Sequence, residues 1–155
     1  MGNIFHQDFR DFLQALNNQQ VEYLLVGGYA VIFHGYPRTT GDMDIWVNRT
    51  KENYALLLNA FKEFKMPVFD MTEERFLSNE SVDVFRFGRK PVAIDIMTKM
   101  ADLKFEECYP LAQLYNDDGL VIKVVHYNNL IEAKKAAGRH KDLNDIENLP
   151  HQPFQ

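Results

Sequence analysis

Three aspartates set in apolar, strand-like runs carry the clearest chemical content of this sequence. Asp42 and Asp44 stand in Asp42-Met43-Asp44-Ile45-Trp46-Val47, and Asp95 in Val92-Ala93-Ile94-Asp95-Ile96-Met97. Side chains alternate sides along an extended chain, so Asp42 and Asp44 project from one face while Met43 and Ile45 turn into the core. Two like charges held that close are unfavourable unless a cation lies between them. If the strand of Asp95 runs beside theirs, three carboxylates converge on one pocket of hard oxygen donors, a set that suits Mg2+. Magnesium held by one or two carboxylates and completed by substrate phosphates is the usual arrangement for phosphoryl or nucleotidyl transfer. In such a site a third carboxylate can accept the proton of an attacking hydroxyl. Ahead of the acids lies Gly27-Gly28. Without Cβ atoms, that turn lets backbone N–H groups approach phosphate oxygens closely.

The elements that must position these residues follow from periodicity. Phe5, Phe9, Phe12, Leu13 and Leu16 recur at close to 3.6 residues and predict a helix ending near Asn17-Asn18. Val21 to Val26 reads as a buried strand closed by the diglycine, and Tyr29 to Phe33 as a short helix broken by His34-Gly35-Tyr36-Pro37. The strand Asp42 to Val47 follows a polar loop over Arg38 to Gly41. Asn48-Arg49-Thr50 then caps a helix over Lys51 to Lys65 that Pro67 stops. Met71 to Glu80 reads as a connection. Val82 to Phe87 and Val92 to Met97, joined by a turn at Gly88-Arg89-Lys90-Pro91, predict a hairpin. A helical patch over Lys104 to Tyr115, a turn at Asp117-Asp118-Gly119, a strand Leu120 to Val125 and a helix Asn128 to Leu149 interrupted at Gly138 complete the chain. Helices alternating with strands, plus a hairpin, imply an α/β (α+β) architecture: a mixed β-sheet with helices packed against it. Residues 1–150 are expected to form one domain, with 151–155 a frayed tail.

Composition narrows the classes. With 155 residues, 46% of them apolar, the chain can bury a sizeable core. No apolar run is long enough for a membrane span and the first residues lack a secretory pattern, so a cytoplasmic location is expected and no membrane partner. The single cysteine, Cys108, supports neither an internal disulfide nor a cysteine-based zinc site. A net charge of −5 argues against nonspecific coating of nucleic acid through a broad basic face.

Taken together, Val26-Gly27-Gly28, thirteen intervening residues, and Asp42-Met43-Asp44-Ile45 resemble the signature of the DNA polymerase β-like nucleotidyltransferase superfamily. Asp95 matches that superfamily's third carboxylate on a later strand. The fuller string, Gly27-Gly28-Tyr29-Ala30, Arg38-x-Thr40-x-Asp42-x-Asp44, then Leu130-Ile131-x-x-Lys134-x-x-x-Gly138-Arg139-x-Lys141-Asp142-x-x-Asp145-Ile146, is similar to small bacterial minimal nucleotidyltransferases, including those of abortive-infection and toxin–antitoxin systems. The resemblance spans about residues 21 to 149. It implies a nucleotidyltransferase fold and transfer of an NMP from an NTP to a hydroxyl with release of pyrophosphate. Asp42 and Asp44 would bind Mg2+ (or Mn2+) and the triphosphate, and Asp95 would complete the metal site and activate the acceptor. Gly27 and Gly28 would line the phosphate turn, Thr40 would shape the site, and Arg38 and Lys134 would contact phosphate. Arg139, Lys141, Asp142 and Asp145 match a string whose role is largely structural.

The acceptor stays open between a tRNA end, a protein and a small molecule; a long template is not expected on a chain this short and acidic. Against the enzyme stands a nucleotidyltransferase-fold partner protein of a toxin–antitoxin system, with a cognate toxin or antitoxin and a weak or idle site. A metal-dependent phosphohydrolase lacks the histidines such sites use. His34 reads as a packed or capping histidine rather than a base, and Trp46 as packing rather than a support for a nucleobase.

Overall fold

Continuous apolar runs flanked by amphipathic helices produce one six-stranded mixed sheet. A computed structural model describes residues 6–78, 83–89 and 92–150. The elements are α1 (Gln7–Asn18), β1 (Tyr23–Val26), α2 (Gly27–Phe33), β2 (Met43–Val47), α3 (Lys51–Phe64), α4 (Glu73–Leu77), β3 (Val84–Arg89), β4 (Val92–Met97), α5 (Phe105–Cys108) with a 3-10 turn at Tyr109–Leu111, β5 (Gln113–Asp117), β6 (Leu120–Val124), α6 (Tyr127–Ala137) and α7 (His140–Asn148). The strand order is β3-β4-β2-β1-β6-β5. β1 pairs antiparallel with β2 and parallel with β6, and β2 pairs parallel with β4. The two ends of the sheet are the antiparallel hairpins β3-β4 and β5-β6. This is the expected mixed α/β class.

The sheet has two faces of different chemistry. On one, Met43, Ile45, Ile94, Ile96, Phe85 and Phe87 are buried. The ring of Phe61 in α3 meets Phe87 edge-on at 4.7 Å, and Phe12 of α1 meets Phe61 and Phe64 at 5.4 and 5.2 Å. Such aromatic pairs add about 1 kcal/mol each to the burial itself. The opposite face carries Asp44, Trp46, Asp95 and Met97, placed there by strand alternation. α5 covers part of it, with Phe105 edge-on to Trp46 at 5.1 Å, so Trp46 is a packing residue as expected.

Local ties fix the loops. Asn53, buried at the start of α3, accepts from Glu22 N and donates to the Glu22 and Asn48 carbonyls, joining α3 to the entrances of β1 and the exit of β2. Thr50 Oγ1 caps α3 at Asn53 N, as the sequence predicts. Arg10 of α1 pairs with Asp117 at 2.8 Å and holds the β5-β6 turn through the carbonyls of Asp117 and Asp118.

Several expectations are corrected. The connection after Met71 contains α4, capped by Thr72 Oγ1 on Arg75 N. The helical patch after Lys104 ends early: helix over Phe105–Cys108 gives way to β5, an edge strand whose Leu114 and Asn116 face outward. The helix after the diglycine starts at Gly27 itself. Gly88 and Arg89 belong to β3, not to a turn. Phe5, Glu80, Val82, the remainder of that turn (Lys90, Pro91) and the tail 151–155 lie outside the described residues.

Candidate active site

The register of β2 and β4 creates the site. Asp44 stands opposite Asp95 in a parallel pair, and Val26, the last residue of β1, stands opposite Asp44 on the other side. β3 adds Arg86 opposite Asp95. One row across the sheet therefore reads Arg86, Asp95, Asp44, Val26, with Asp42 just before β2. The Arg86 guanidinium forks onto Asp95, Nε to Oδ1 at 2.8 Å and Nη2 to Oδ2 at 2.9 Å, and Nη2 also reaches Asp42 Oδ2 at 3.0 Å. Asp95 is buried, while Asp42 and Asp44 are half-buried.

The carboxylates act on one another. Burial pushes the Asp44 carboxyl up to about 7, helped by the charges of Asp95 and Asp42 and by a hydrogen bond shared with Asp95; Lys141 opposes the rise. Asp42 Oδ1 is buried and has no hydrogen-bond partner. Both features leave negative charge concentrated on the Asp42 and Asp44 side of the row.

The diglycine is shaped by these acids. Gly27 has φ +67°, and a Cβ there would overlap the Asp44 carboxylate. A Cβ on Gly28 would overlap the Thr40 hydroxyl and stand 3.2 Å from Arg38 Nη2. Only glycine fits both positions without something shifting. Arg38 in turn pairs with Asp145 at 2.8 Å, and Lys134 pairs with Asp145 at 3.0 Å and Asp142 at 3.3 Å. Arg139 closes the group on Asp142 at 2.6 Å, in a capping box that starts α7. Two buried carboxylates are thus matched by three cations, and the Asp142 carboxyl is held below its usual range by Arg139 and Lys134 despite its burial.

All eight residues singled out from the sequence are therefore contiguous: Asp95 and Asp42 through Arg86, Asp44 against Gly27, Gly28 against Thr40 and Arg38, and Lys134 beyond Asp145. Lys134 lies buried in ion pairs, not as a free cation on a helix surface. His34 is packed, its Nε2 bonded to the Val125 carbonyl at 2.7 Å. A cleft of about 380 Å3 opens beside Asp44 and Gly27, floored by Met97, Met100, Leu130, Ala133 and Ala137 and edged by Lys99, Lys134 and Arg139. Asp142, paired with Lys134 and Arg139, also lines it.

Among the described residues no group of three or more histidine, cysteine, aspartate or glutamate side chains is placed to hold a metal ion together. Mg2+ does not require one, since it is commonly bound by one or two carboxylates and substrate phosphates. The unpartnered Asp42 oxygen and the all-oxygen donors of Asp42 and Asp44 fit that open arrangement.

Sequence reading missed Arg86. A turn at Gly88-Pro91 sets it opposite Ala93, whereas the observed pairing of Arg89 with Val92 sets it opposite Asp95. The alternation of Arg86 between buried Phe85 and Phe87 was the available signal. Lys99, which lines the cleft, was also missed, lying outside any run with a period.

The fold is similar to that of a presumed nucleotidyltransferase from Thermotoga maritima, TM1012, with a TM-score of 0.62 at 15% identity over 91% of this chain and 89% of that one. JHP933 from Helicobacter pylori aligns with a TM-score of 0.46 at 16% identity over 90% of this chain and 62% of that one. A presumed nucleotidyltransferase from H. pylori aligns at 0.46 and 16%, over 90% and 64%. No protein family and no curated protein matches the sequence. The Thermotoga structure carries the conclusion: this chain has a nucleotidyltransferase-like fold.

Proposed function

We propose that the chain is a Mg2+-dependent nucleotidyltransferase that moves an NMP from an NTP to a hydroxyl and releases pyrophosphate. The observation that carries this reading is the pairing of Asp44 with Asp95 across β2 and β4, beside a glycine whose Cβ position the Asp44 carboxylate occupies. Asp42 and Asp44 would hold the divalent cation (Mg2+ or Mn2+), with Asp95 completing its ligands. That cation supplies positive charge against the triphosphate and makes the α-phosphorus a better electrophile.

The chain's own residues do the rest. Gly27 and Gly28 leave backbone N–H groups open to phosphate oxygens. Thr40 and Arg38 wall that turn, and Lys134 with Arg139 puts positive charge at the edge of the cleft. The apolar floor receives the base and excludes water from it. Asp95 accepts the proton of the attacking hydroxyl as the oxygen bonds to the α-phosphorus and the α–β bridge breaks toward pyrophosphate. The acceptor is a tRNA end, a protein or a small molecule, and the setting a single cytoplasmic domain.

The test compares wild type with Asp44→Asn for transfer of label from each α-32P NTP to RNA, protein and small-molecule pools. Label that requires Asp44 supports the reading; equal label from both proteins overturns it.

A second reading has a specific observation behind it. Arg86 neutralises two of the three carboxylates, which suits an idle or weakly active site in a toxin–antitoxin partner protein. A cognate toxin or antitoxin that co-purifies with a chain showing no NTP affinity would favour it.

A further inference from the structure

The grip of Arg86 on the carboxylates has a consequence for how a cation enters. Arg86 occupies both oxygens of Asp95 and one of Asp42, at 2.8 to 3.0 Å. Among the described residues it is the cation that pairs with two of the three acids. The remaining Asp42 oxygen is buried and unpartnered. A dication bound to Asp42 and Asp95 would need the same lone pairs and would face the guanidinium charge at a few ångströms, where like charges repel strongly.

We infer that Arg86 is a built-in occupant of the divalent-cation position: it holds Asp95 and Asp42 in the nucleotide-free protein and leaves them when the cation binds. The inference rests on the nucleotidyltransferase reading of the site. Its mechanical basis is the place of Arg86 in the sheet. Among the described residues β3 is an edge strand paired with β4, and the Arg86 side chain is 53% exposed. The guanidinium can therefore swing to solvent without repacking the core, whereas Phe85 and Phe87 on either side stay buried and keep the strand in register. Cation uptake is then an exchange of one positive charge for another. Arg86 sets the threshold: it weakens cation binding alone, and a triphosphate that brings its own cation overcomes it. Arg86 acts here as a positioning residue, through Asp95 and Asp42, and not on the substrate.

The test is a Mn2+ titration of the nucleotide-free full chain, read as loss of the free-ion EPR signal, for wild type, Arg86→Gln and Arg86→Lys. Removing the charge-assisted fork should tighten Mn2+ binding by about tenfold in Arg86→Gln. Arg86→Lys, which keeps the charge and loses the fork, should fall between. In EDTA, Arg86→Gln should melt below wild type, and Mn2+ should raise its Tm by more than it raises that of wild type. A folded Arg86→Gln with unchanged or weaker Mn2+ affinity overturns the inference and leaves the nucleotidyltransferase reading standing. Should Arg86→Gln not fold, wild-type affinity in Arg86→Lys overturns it equally. Absence of Mn2+ binding in every protein, with ATP present as well, overturns both.

Discussion

Asp44 is the residue on which the site turns, and its surroundings make opposite demands on activity and stability. It is crowded by two acids that raise its pKa. Asp44→Asn should cut nucleotidyl transfer by about a thousandfold or more, while its Tm in EDTA stays at or above that of wild type because a like-charge contact is relieved. A Tm well below wild type would mean that Asp44 serves the fold. Gly27→Ala should lose stability as well as activity, for a geometric reason. Its φ of +67° and the Asp44 carboxylate at the Cβ position should cost about 2 kcal/mol or more, measured by urea unfolding, and should displace Asp44. The three aspartates and both glycines could be singled out from the sequence because a two-residue period and the absence of Cβ are local facts, whereas Thr40 and Arg38 were marked only through the family resemblance. Arg86 was not, because its partnership with Asp95 depends on a hairpin register that two residues of turn length decide.

The elements that bring these residues together are legible to different degrees, and the reasons are physical. α1 and α3 show long apolar stripes, and β1, β2 and β4 show dense apolar runs, so their existence follows from periodicity. β5 alternates inward Gln113, Tyr115 and Asp117 with exposed Leu114 and Asn116; an edge strand of that composition has no apolar face to announce it, and it read as the tail of a helix. The helix pair α6-α7 makes a claim of its own. Lys134, side chain 9% exposed, joins Asp142 and Asp145, which are almost fully buried. Lys134→Ala should destabilise by about 3 kcal/mol, the cost of leaving a buried charge short of a partner, as read by urea unfolding; a loss below about 0.5 kcal/mol would show that Arg38 and Arg139 suffice. His34, at the end of α2, gives a pH test. Burial holds its pKa below 6.5, with the charge of His126 adding to the effect and the bond to Val125 opposing it. The folded state therefore prefers neutral His34, and this contribution is intact above pH 6.5 and lost as pH falls through the lowered folded value. The Tm advantage of wild type over His34→Gln should shrink between pH 7.5 and pH 5, and a constant gap would show that His34 does not titrate differently on folding.

For the molecule as a whole, the sheet is a partition. One face is sealed by α1 and α3 and supplies rigidity; the other carries the row Arg86, Asp95, Asp44, Val26 and opens on the cleft under α6. Site residues drawn from β2, β3, β4, the start of α2 and the α6-α7 pair are fixed relative to one another by that single platform. Among the described residues no helix is long and apolar enough to cross a membrane. The likeness to the Thermotoga protein over nine-tenths of both chains establishes the fold, and the chemistry rests on the residues. The most direct measurement of that chemistry is a paired reaction with wild-type protein, Mg2+ and an acceptor pool, using one NTP labelled at the α-phosphate and again at the γ-phosphate. Nucleotidyl transfer predicts that α label joins the acceptor while γ label leaves in pyrophosphate. Label from the γ position on the acceptor, or as free inorganic phosphate, would contradict the account.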